Sequence, residues 1–225
     1  MINLKIYKSG GPEVLKTEKV DLKKPGPEEV TIKHEAIGLN YIDTYHRSGL
    51  YPVTLPSGIG IEASGIIKDI GSNIKNFSIG DRVAYSAAPL GAYASERNFP
   101  VKNLVKVPKE IDLDLIATLM TKGLTTFYLL HKTFSVTGSD VILFHAAAGG
   151  VGQIFCQWAK SLGCKIIGTV GSNEKIQIAK NNGCDFVINY SEENFAKKVL
   201  EITNGEGVSV VYDGVGKNTF EDSLK

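Results

Sequence analysis

A short apolar strand that runs directly into a glycine-rich turn and a helix restricts the fold more than any other segment of this chain. The strand is VILFH at residues 141–145, the turn is AAAGGVG at 146–152, and the helix-length stretch 151–162 stops before Gly163, as helices often do. Strands at 165–170, 186–190 and 208–213 then alternate with helices at 173–182 and 193–203. This alternation predicts an α/β fold, a doubly wound parallel sheet of the Rossmann type with right-handed crossovers.

Three small residues in the turn have the spacing of the dinucleotide-binding pattern G-x-G-x-x-G. Ala147 stands in the first position, Gly149 in the second and Gly152 in the third. The first position makes a tight turn, which alanine allows if its φ stays negative. The second lets the pyrophosphate approach the backbone, and the third lets the helix lie close to the strand. Because a strand precedes the turn and a helix follows it, we predict that its amides bind a dinucleotide.

The end of the second strand indicates which dinucleotide is bound. NAD sites commonly place Asp or Glu about 20 residues beyond the motif, and the window 167–172 contains neither. Ser172 can donate to a phosphate, Lys175 can supply charge, and Tyr190 ends the neighbouring strand with a hydroxyl. Together they favour NADP. Lys175 as a surface lysine and Tyr190 as an ordinary strand aromatic are the alternatives, and the nearby Glu174 keeps NAD open.

The first half of the chain has a different pattern. Short alternating or apolar runs, separated by turn residues about every ten positions, predict a β-rich barrel or sandwich. Gly71-Ser72-Asn73 and Gly80-Asp81 mark two of the turns, since glycine and asparagine tolerate positive φ. We therefore expect one domain at 1–121 and a dinucleotide domain at 122–225. The second domain is expected to be truncated, because doubly wound domains usually have about six strands.

The composition argues against several classes of partner. The 225 residues carry 25 basic and 24 acidic side chains, a net charge of +1, which does not indicate a nucleic-acid partner. Residues 1–10 have no long apolar stretch and no small-residue cleavage site, so we expect neither a signal peptide nor a membrane anchor. Cys156, Cys164 and Cys184 lack metal-like spacing, and their odd number indicates free thiols in the cytoplasm.

Six motifs lie in order along the chain: GGPEVL at 10–15, NYIDTY at 40–45, RSGLYP at 47–52, GDRV at 80–83, KGLT at 122–125 and AAAGGVG at 146–152. In this order they resemble the zinc-free quinone oxidoreductases of the zeta-crystallin type, in the medium-chain dehydrogenase/reductase superfamily. The resemblance implies a GroES-like catalytic domain before the Rossmann domain. It also implies reduction of quinones or similar conjugated carbonyls by NADPH, in a homodimer built through the nucleotide domains.

The same resemblance implies that no metal is bound. Zinc alcohol dehydrogenases have Cys-His-x-Asp where this chain has Asn40-Tyr41-Ile42-Asp43, and Gly-His-Glu where it has Gly60-Ile61-Glu62. Asn40 and Ile61 cannot replace the thiolate and imidazole ligands. We therefore expect zinc-independent chemistry.

The resemblance further implies which residues contact each part of NADPH. These are Tyr41, Ile42, Asp43 and Tyr128 at the nicotinamide end, Gly150 and Val151 at the pyrophosphate, Gly171, Ser172, Lys175 and Tyr190 around the 2′-phosphate, and Val215 beside the ribose. Lys122 and Thr125 would bond a ribose hydroxyl where the domains join, or simply cover surface.

Asn40, Tyr45 and Tyr51 are the predicted catalytic residues. The tyrosines would hydrogen-bond the substrate carbonyl or the developing oxyanion, unless this rim of the barrel only packs aromatic rings. His145 ends a strand, where a packed neutral histidine is expected more than a catalytic one. No general acid is assigned, because a quinone can take its proton from solvent.

Three functions are compatible with these residues. The leading one is an NADPH-dependent quinone reductase. The second is reduction of the carbon–carbon double bond of an enal, enone or enoyl thioester by the same hydride step. The third is a non-catalytic NADP-binding protein that acts as a sensor or a structural protein.

Overall fold

The structure, a computed structural model, describes residues 1–225 and divides into two compact units, Met1–Thr121 and Lys122–Lys225. The N-terminal unit contains eight strands, which are β1 (Ile2–Ile6), β2 (Lys16–Lys19), β3 (Glu29–Gly38), β4 (Ser57–Gly58), β5 (Glu62–Ile70), β6 (Arg82–Ser86), β7 (Glu96–Pro100) and β8 (Val105–Lys106). They pair in two antiparallel sheets, ordered β7-β3-β5-β6-β8 and β2-β1-β4. The predicted β-rich architecture is confirmed.

The core of the N-terminal unit lies against the five-stranded sheet. Val30, Ile32 and Ile67 are buried, because alternate residues of β3 and β5 point to the same face. Tyr85 on β6 stacks on Phe99 of β7, with ring centroids 4.0 Å apart. This packing stabilises the five-stranded sheet, and the loops of the unit extend from its strands.

A helix that the sequence analysis did not predict, α1 (Tyr41–Ser48), contains most of the NYIDTY motif. Asn40 precedes it in extended conformation, and the Asn40 and Asp43 side chains form a capping box. Gly49 ends it at φ 86°, a left-handed conformation that favours glycine. The signal was present in the sequence, since a capping residue, an acid three positions later and a terminal glycine are typical of a short helix.

A second unpredicted helix, α2 (Leu113–Tyr128), contains the point that divides the two units and continues as a π-helical turn over Leu129–Thr133. The stretch Leu113–Thr133 is long and apolar enough to cross a membrane by length and composition alone. One such helix is weak evidence, because core helices of soluble proteins pass the same test.

The C-terminal unit is built around a four-stranded parallel sheet. Its elements are β9 (Val141–Phe144), α3 (Gly150–Ser161), β10 (Lys165–Val170), α4 (Ile176–Asn181), β11 (Phe186–Asn189), α5 (Phe195–Ile202), β12 (Val210–Tyr212) and α6 (Phe220–Ser223). The strand order is β11-β10-β9-β12, all parallel. In order of appearance this is 3-2-1-4, the order at the centre of a Rossmann sheet, which confirms the predicted parallel architecture.

Two predicted helices differ from those observed. The stretch 173–182 begins with a 3-10 turn at Asn173–Lys175 before α4 starts. The helix predicted at 193–203 begins at Phe195, because the Asn194 side chain caps it by accepting from the Lys197 amide at 2.9 Å.

Candidate functional site

The turn after β9 is a backbone structure fixed by local hydrogen bonds. Ala146 has a φ of 55°, unusual for a residue with a side chain, and its carbonyl accepts from the Gly149 amide at 2.8 Å. Ala147 is not in this left-handed region, in agreement with the negative φ that alanine needs in the first motif position, and its amide donates to the Thr169 carbonyl at 3.0 Å. Gly149 precedes α3 without a side-chain cap. The first-turn amides of α3 therefore point at a position suited to an anion.

Close packing explains the small residues in and beneath this turn. A Cβ added at Gly152 would lie 2.6 Å from the carbonyl oxygens of both Ala146 and Ala147. A Cβ on Gly168 of β10 would lie 2.8 Å from the Ala147 methyl. Alanine replaces the first glycine of the motif because Gly168 leaves space for its methyl group. Gly168 is not among the predicted site residues, although a glycine inside a strand often marks such a close approach.

Other predicted cofactor residues lie near the start of α3 or on α2. A Cβ added at Gly150 would lie 2.9 Å from Cε of Lys122, so the lysine stem lies over the first turn of α3. Val151 packs against the core beside the sheet. Thr125 is half-buried, and Tyr128 exposes 46% of its surface.

The residues predicted to surround a 2′-phosphate converge at the ends of β10 and β11. A Cβ on Gly171 would lie 2.8 Å from the Tyr190 hydroxyl, which places that hydroxyl over the glycine. Ser172 follows in extended conformation and makes no side-chain capping bond. Lys175 is exposed and makes no ion pair, and Glu174 is also exposed. The Tyr190 hydroxyl therefore lies at the carboxyl edge of the sheet, beside the turn that contains Ser172 and Lys175.

Asp213 organises the loop after β12, which contains the predicted ribose contact Val215. Its Oδ1 accepts from the amides of Val215 at 2.8 Å and Gly216 at 2.9 Å, and both carboxylate oxygens accept from the Thr219 hydroxyl. Burial would raise the pKa of Asp213, but these hydrogen bonds hold the pKa below its usual value. The carboxylate thus stays ionised and fixes the backbone beside Val215.

In the N-terminal unit, the predicted site residues Asn40 and Asp43 are held inside the protein. Asn40 is 7% exposed, and its Nδ2 donates to Oε2 of the fully buried Glu62 at 2.5 Å. Asp43 is 3% exposed, and its Oδ2 accepts from the Asn40 amide at 3.0 Å and the Tyr93 hydroxyl at 2.8 Å. Oδ2 of Asp43 thus caps α1, and the place of Asp43 at the nicotinamide end stays a prediction.

The aromatic residues of the same segment form a row along α1 and the loop after it. Ring centroids lie 5.4 Å apart for Tyr41 and Tyr45, and 5.3 Å apart for Tyr45 and Tyr51. Tyr41 is 76% exposed and Tyr51 is 48% exposed, whereas Ile42 is half-buried. The rings pack on one another, as the alternative interpretation expected, and two of them also face solvent.

One histidine in each unit has both ring nitrogens in hydrogen bonds, with His34 half-buried and His145 buried. His34 donates from Nδ1 to the Ala94 carbonyl at 2.6 Å, which leaves Nε2 to accept from the Tyr85 hydroxyl at 3.0 Å. Burial lowers the pKa of His34 to about 4. His145 is 1% exposed and lies between the hydroxyls of Thr169 and Ser223 at 2.8 and 3.0 Å, and burial lowers its pKa as well. Both are packed, neutral side chains.

Known proteins match both units. The Alcohol dehydrogenase GroES-like domain family matches residues 26–109, and the Zinc-binding dehydrogenase family matches residues 150–225. The quinone oxidoreductase of Salmonella typhimurium is 49% identical over 222 residues, which cover 98% of this chain and 68% of that protein. The chain belongs to the quinone oxidoreductase family.

Other quinone oxidoreductases and one related reductase support this assignment. The quinone oxidoreductase of Pseudomonas aeruginosa is 52% identical, and the match covers 96% of this chain and 66% of that protein. A 2-haloacrylate reductase from a Burkholderia species is 46% identical, over 97% of this chain and 68% of that protein. The crystal structure of Escherichia coli quinone oxidoreductase complexed with NADPH superimposes with a TM-score of 0.97 at 48% identity, covering 100% of this chain and 69% of that one. The two units are therefore the GroES-like and Rossmann parts of this family, in a chain about two thirds as long as its relatives.

One matched family is described as zinc-binding, which raises the question of whether this chain contains a set of metal ligands. The structure contains no group of three or more His, Cys, Asp or Glu side chains that could hold a metal ion. Glu62 is engaged by Asn40 and by the Thr121 amide, at 2.8 Å in the second case. Asn40 stands where the zinc alcohol dehydrogenases have a cysteine. Its side-chain amide donates to the Glu62 carboxylate.

Proposed function

We propose that this member of the quinone oxidoreductase family is an NADPH-dependent, zinc-independent reductase that transfers a hydride to a quinone. The observation that carries the proposal is the end of β10, where the Tyr190 hydroxyl lies over Gly171 and the next turn of the chain contains Ser172 and the exposed Lys175. Residues 167–172 contain no Asp or Glu. A 2′-phosphate at the end of β10 would therefore meet hydrogen-bond donors and a cation. The related Escherichia coli quinone oxidoreductase was crystallised as a complex with NADPH, which supports the same choice.

Each part of the dinucleotide has a proposed set of contacts in the Rossmann unit. The amides from Gly150 to Gly152 bind the pyrophosphate, and Gly152 lets α3 approach the turn closely enough to present them. Val215 lies beside the ribose on a loop fixed by Asp213. Lys122, whose stem covers Gly150, adds positive charge near the phosphates, and Thr125 and Tyr128 follow it on the same helix.

The GroES-like unit supplies the substrate end of the proposed site. NADPH supplies the hydride when it is bound. Tyr45 and Tyr51 donate hydrogen bonds to the carbonyl oxygen as negative charge develops on it, and Tyr41 and Ile42 pack at the nicotinamide end. Asn40 and Asp43 act by fixing α1, because Asp43 accepts from the Asn40 amide and Asn40 bonds to Glu62. This arrangement requires no metal ion.

A second candidate is reduction of a conjugated carbon–carbon double bond. It is favoured by the 46% identity to a 2-haloacrylate reductase and by a crystal structure of a 2-haloacrylate reductase that superimposes with a TM-score of 0.86. Hydride addition to the double bond beside a carboxyl group would place negative charge on oxygen atoms, as hydride addition to a quinone does. The same tyrosine hydroxyls would serve both reactions.

The setting of the protein is part of the proposal. We place it in the cytoplasm, without a membrane or nucleic-acid partner, as a homodimer. Light scattering coupled to size-exclusion chromatography tests whether the protein is a dimer. Elution at the mass of one chain at all concentrations would contradict that part of the proposal.

Titration of the protein with NADPH and with NADH, followed by intrinsic fluorescence, tests the cofactor choice. Lys175→Ala should weaken NADPH binding by about 1–3 kcal/mol, the loss of a charge-assisted hydrogen bond, and leave NADH binding unchanged. Lys180→Ala, which removes an exposed lysine farther along α4, is the matched control and should change neither. Equal affinity of the wild-type protein for both cofactors would contradict the proposal.

Stopped-flow measurement of NADPH oxidation separates the candidate reactions. Addition of 1,4-benzoquinone should produce turnover, and addition of 2-chloroacrylate in its place tests the second candidate. Tight NADPH binding with no turnover on either acceptor would instead support the non-catalytic sensor.

A further inference from the structure

The amide side chain of Asn189 connects the two turns that form the predicted 2′-phosphate site. Asn189 ends β11 and is 4% exposed. Its Nδ2 donates to Oδ1 of Asn173 at 2.9 Å, and Nδ2 of Asn173 donates to Oε1 of Glu192 at 2.6 Å. On its other side, Oδ1 of Asn189 accepts from the Ser191 amide at 3.1 Å. The result is an unbroken chain of hydrogen bonds from one turn to the other.

The direction of this chain is fixed at both ends. The Ser191 backbone N–H can only donate, so the oxygen of the Asn189 amide must face it. The Asn189 nitrogen must then face the Asn173 oxygen. The Asn173 nitrogen in turn faces Glu192, whose carboxylate can only accept when ionised. If either asparagine amide were rotated by 180°, two donors or two acceptors would face each other. The chain of hydrogen bonds therefore has a single arrangement.

Further bonds join the same two turns at the backbone. The Ser191 hydroxyl donates to the Gly171 carbonyl at 3.0 Å, and the Tyr190 amide donates to the Val170 carbonyl at 3.1 Å. The amides of Glu192 and Glu193 both donate to the Asn189 carbonyl at 3.0 Å. Asn189 thus bonds to both turns from the buried end of the strand.

We infer that Asn189, acting through Asn173 and Glu192, is a positioning residue that sets the preference for a phosphorylated dinucleotide. The inference rests on the proposed function. By locking the Ser172 turn against the Tyr190 turn, the chain keeps the donors at a separation that one phosphate group can bridge. It also ties the Glu192 carboxylate to Asn173. The pyrophosphate turn at residues 146–152 contributes nothing to this chain, so the pyrophosphate contacts that NADH and NADPH share do not depend on it.

The test compares the affinities of NADPH and NADH for Asn189→Ala, measured by calorimetric titration of the whole protein. We expect NADPH to bind about tenfold more weakly, the effect of one lost buried hydrogen bond, and NADH to bind as it does to the wild type. Because Asn189 is buried, Asn173→Ala is the second variant: it cuts the same chain at an exposed residue and should give the same selective loss. Asn194→Ala removes a nearby asparagine that caps α5, and it should leave the ratio of affinities unchanged.

The outcomes distinguish this inference from the proposed function. A wild type that prefers NADPH, with both chain variants losing that preference, supports the inference. A wild type that prefers NADPH, with variants that weaken both cofactors equally or neither, overturns the inference and leaves the cofactor choice standing. A wild type that binds both cofactors equally contradicts the proposed function, and the inference falls with it.

Discussion

The two units fix their candidate site residues by different means. In the Rossmann unit the phosphate turn is shaped by backbone bonds between residues close in sequence, such as the 2.8 Å bond from the Gly149 amide to the Ala146 carbonyl. In the GroES-like unit the groups are fixed by side chains that meet across long sequence separations, as Asn40 meets Glu62 and Asp43 meets Tyr93. A site made of backbone can be recognised from a short motif, whereas a site made of side-chain pairs depends on the complete fold.

The backbone character of the phosphate turn predicts the largest effect of a single substitution. Gly152→Ala would place a Cβ 2.6 Å from two backbone carbonyl oxygens, which cannot move without displacing α3 from the turn. We expect NADPH and NADH to bind about 100-fold more weakly, in line with the cost of overpacking a rigid contact. Equilibrium titration with both cofactors measures this.

Gly123→Ala is the matched control for that substitution. Gly123 also lies in a helix, and apart from its chain neighbours and the backbone of its own helix no atom lies within 4 Å of an added Cβ. Both affinities should be retained, and thermal stability should rise slightly, because alanine favours helix more than glycine does. If Gly152→Ala bound both cofactors normally, the turn would not be the rigid backbone site described above.

The side-chain character of the GroES-like site predicts a loss of stability rather than of cofactor affinity. Asp43→Ala removes the acceptor for the Asn40 amide and for the Tyr93 hydroxyl. We expect the free energy of unfolding to fall by about 2 kcal/mol, since hydrogen bonds to a charged group are the stronger ones. Urea denaturation measures this change. Tyr93→Phe, which removes only one of the two bonds, should cost about half as much, and equal losses for the two variants would refute a shared carboxylate.

The same contrast explains which parts of the molecule could be predicted from the sequence. The strand, turn and helix around Ala147 and Gly152 obey a local pattern, and the parallel sheet followed from it. Helix α1 had a local signal as well, in Asn40, Asp43 and Gly49, but its aromatic residues suggested a barrel rim. The bond from Asn40 to Glu62 had no local signal, because 22 residues separate the two in sequence and only the pairing of β3 with β5 brings them together.

The half-buried His34 of the GroES-like unit predicts an acid-dependent loss of stability. The pKa of His34 is about 4 in the folded protein and about 6.5 in an unfolded chain. The unfolded chain therefore binds more protons between these values, and the contribution of His34 is complete above pH 6.5 and is lost as the pH falls toward 4. At pH 5 the expected loss is about 1–2 kcal/mol.

Unfolding curves between pH 8 and pH 5 check this for the wild type and for His34→Gln, whose stability should fall less over that range. Tyr85→Phe removes the hydroxyl that donates to Nε2. Because that bond exists only with the neutral ring, its loss should make His34 easier to protonate and reduce the loss of stability at low pH. Identical slopes for the wild type and His34→Gln would exclude His34 as the cause.

The smallest expected effect concerns a glycine that faces a side chain instead of the backbone. A Cβ on Gly171 would lie 2.8 Å from the Tyr190 hydroxyl, which is the far end of a side chain that can rotate away. Gly171→Ala should therefore weaken NADPH binding by only about fivefold, less than one full charge-assisted hydrogen bond, and leave NADH unaffected. Tyr190→Phe in the same titration removes the hydroxyl without crowding. If both variants lower the affinity for NADPH alone, the hydroxyl contacts the 2′-phosphate. If Gly171→Ala weakens NADH binding as strongly as Gly152→Ala does, the turn at Gly171 is as rigid as the turn at residues 146–152. The distinction between backbone and side-chain sites would then fail within the Rossmann unit itself.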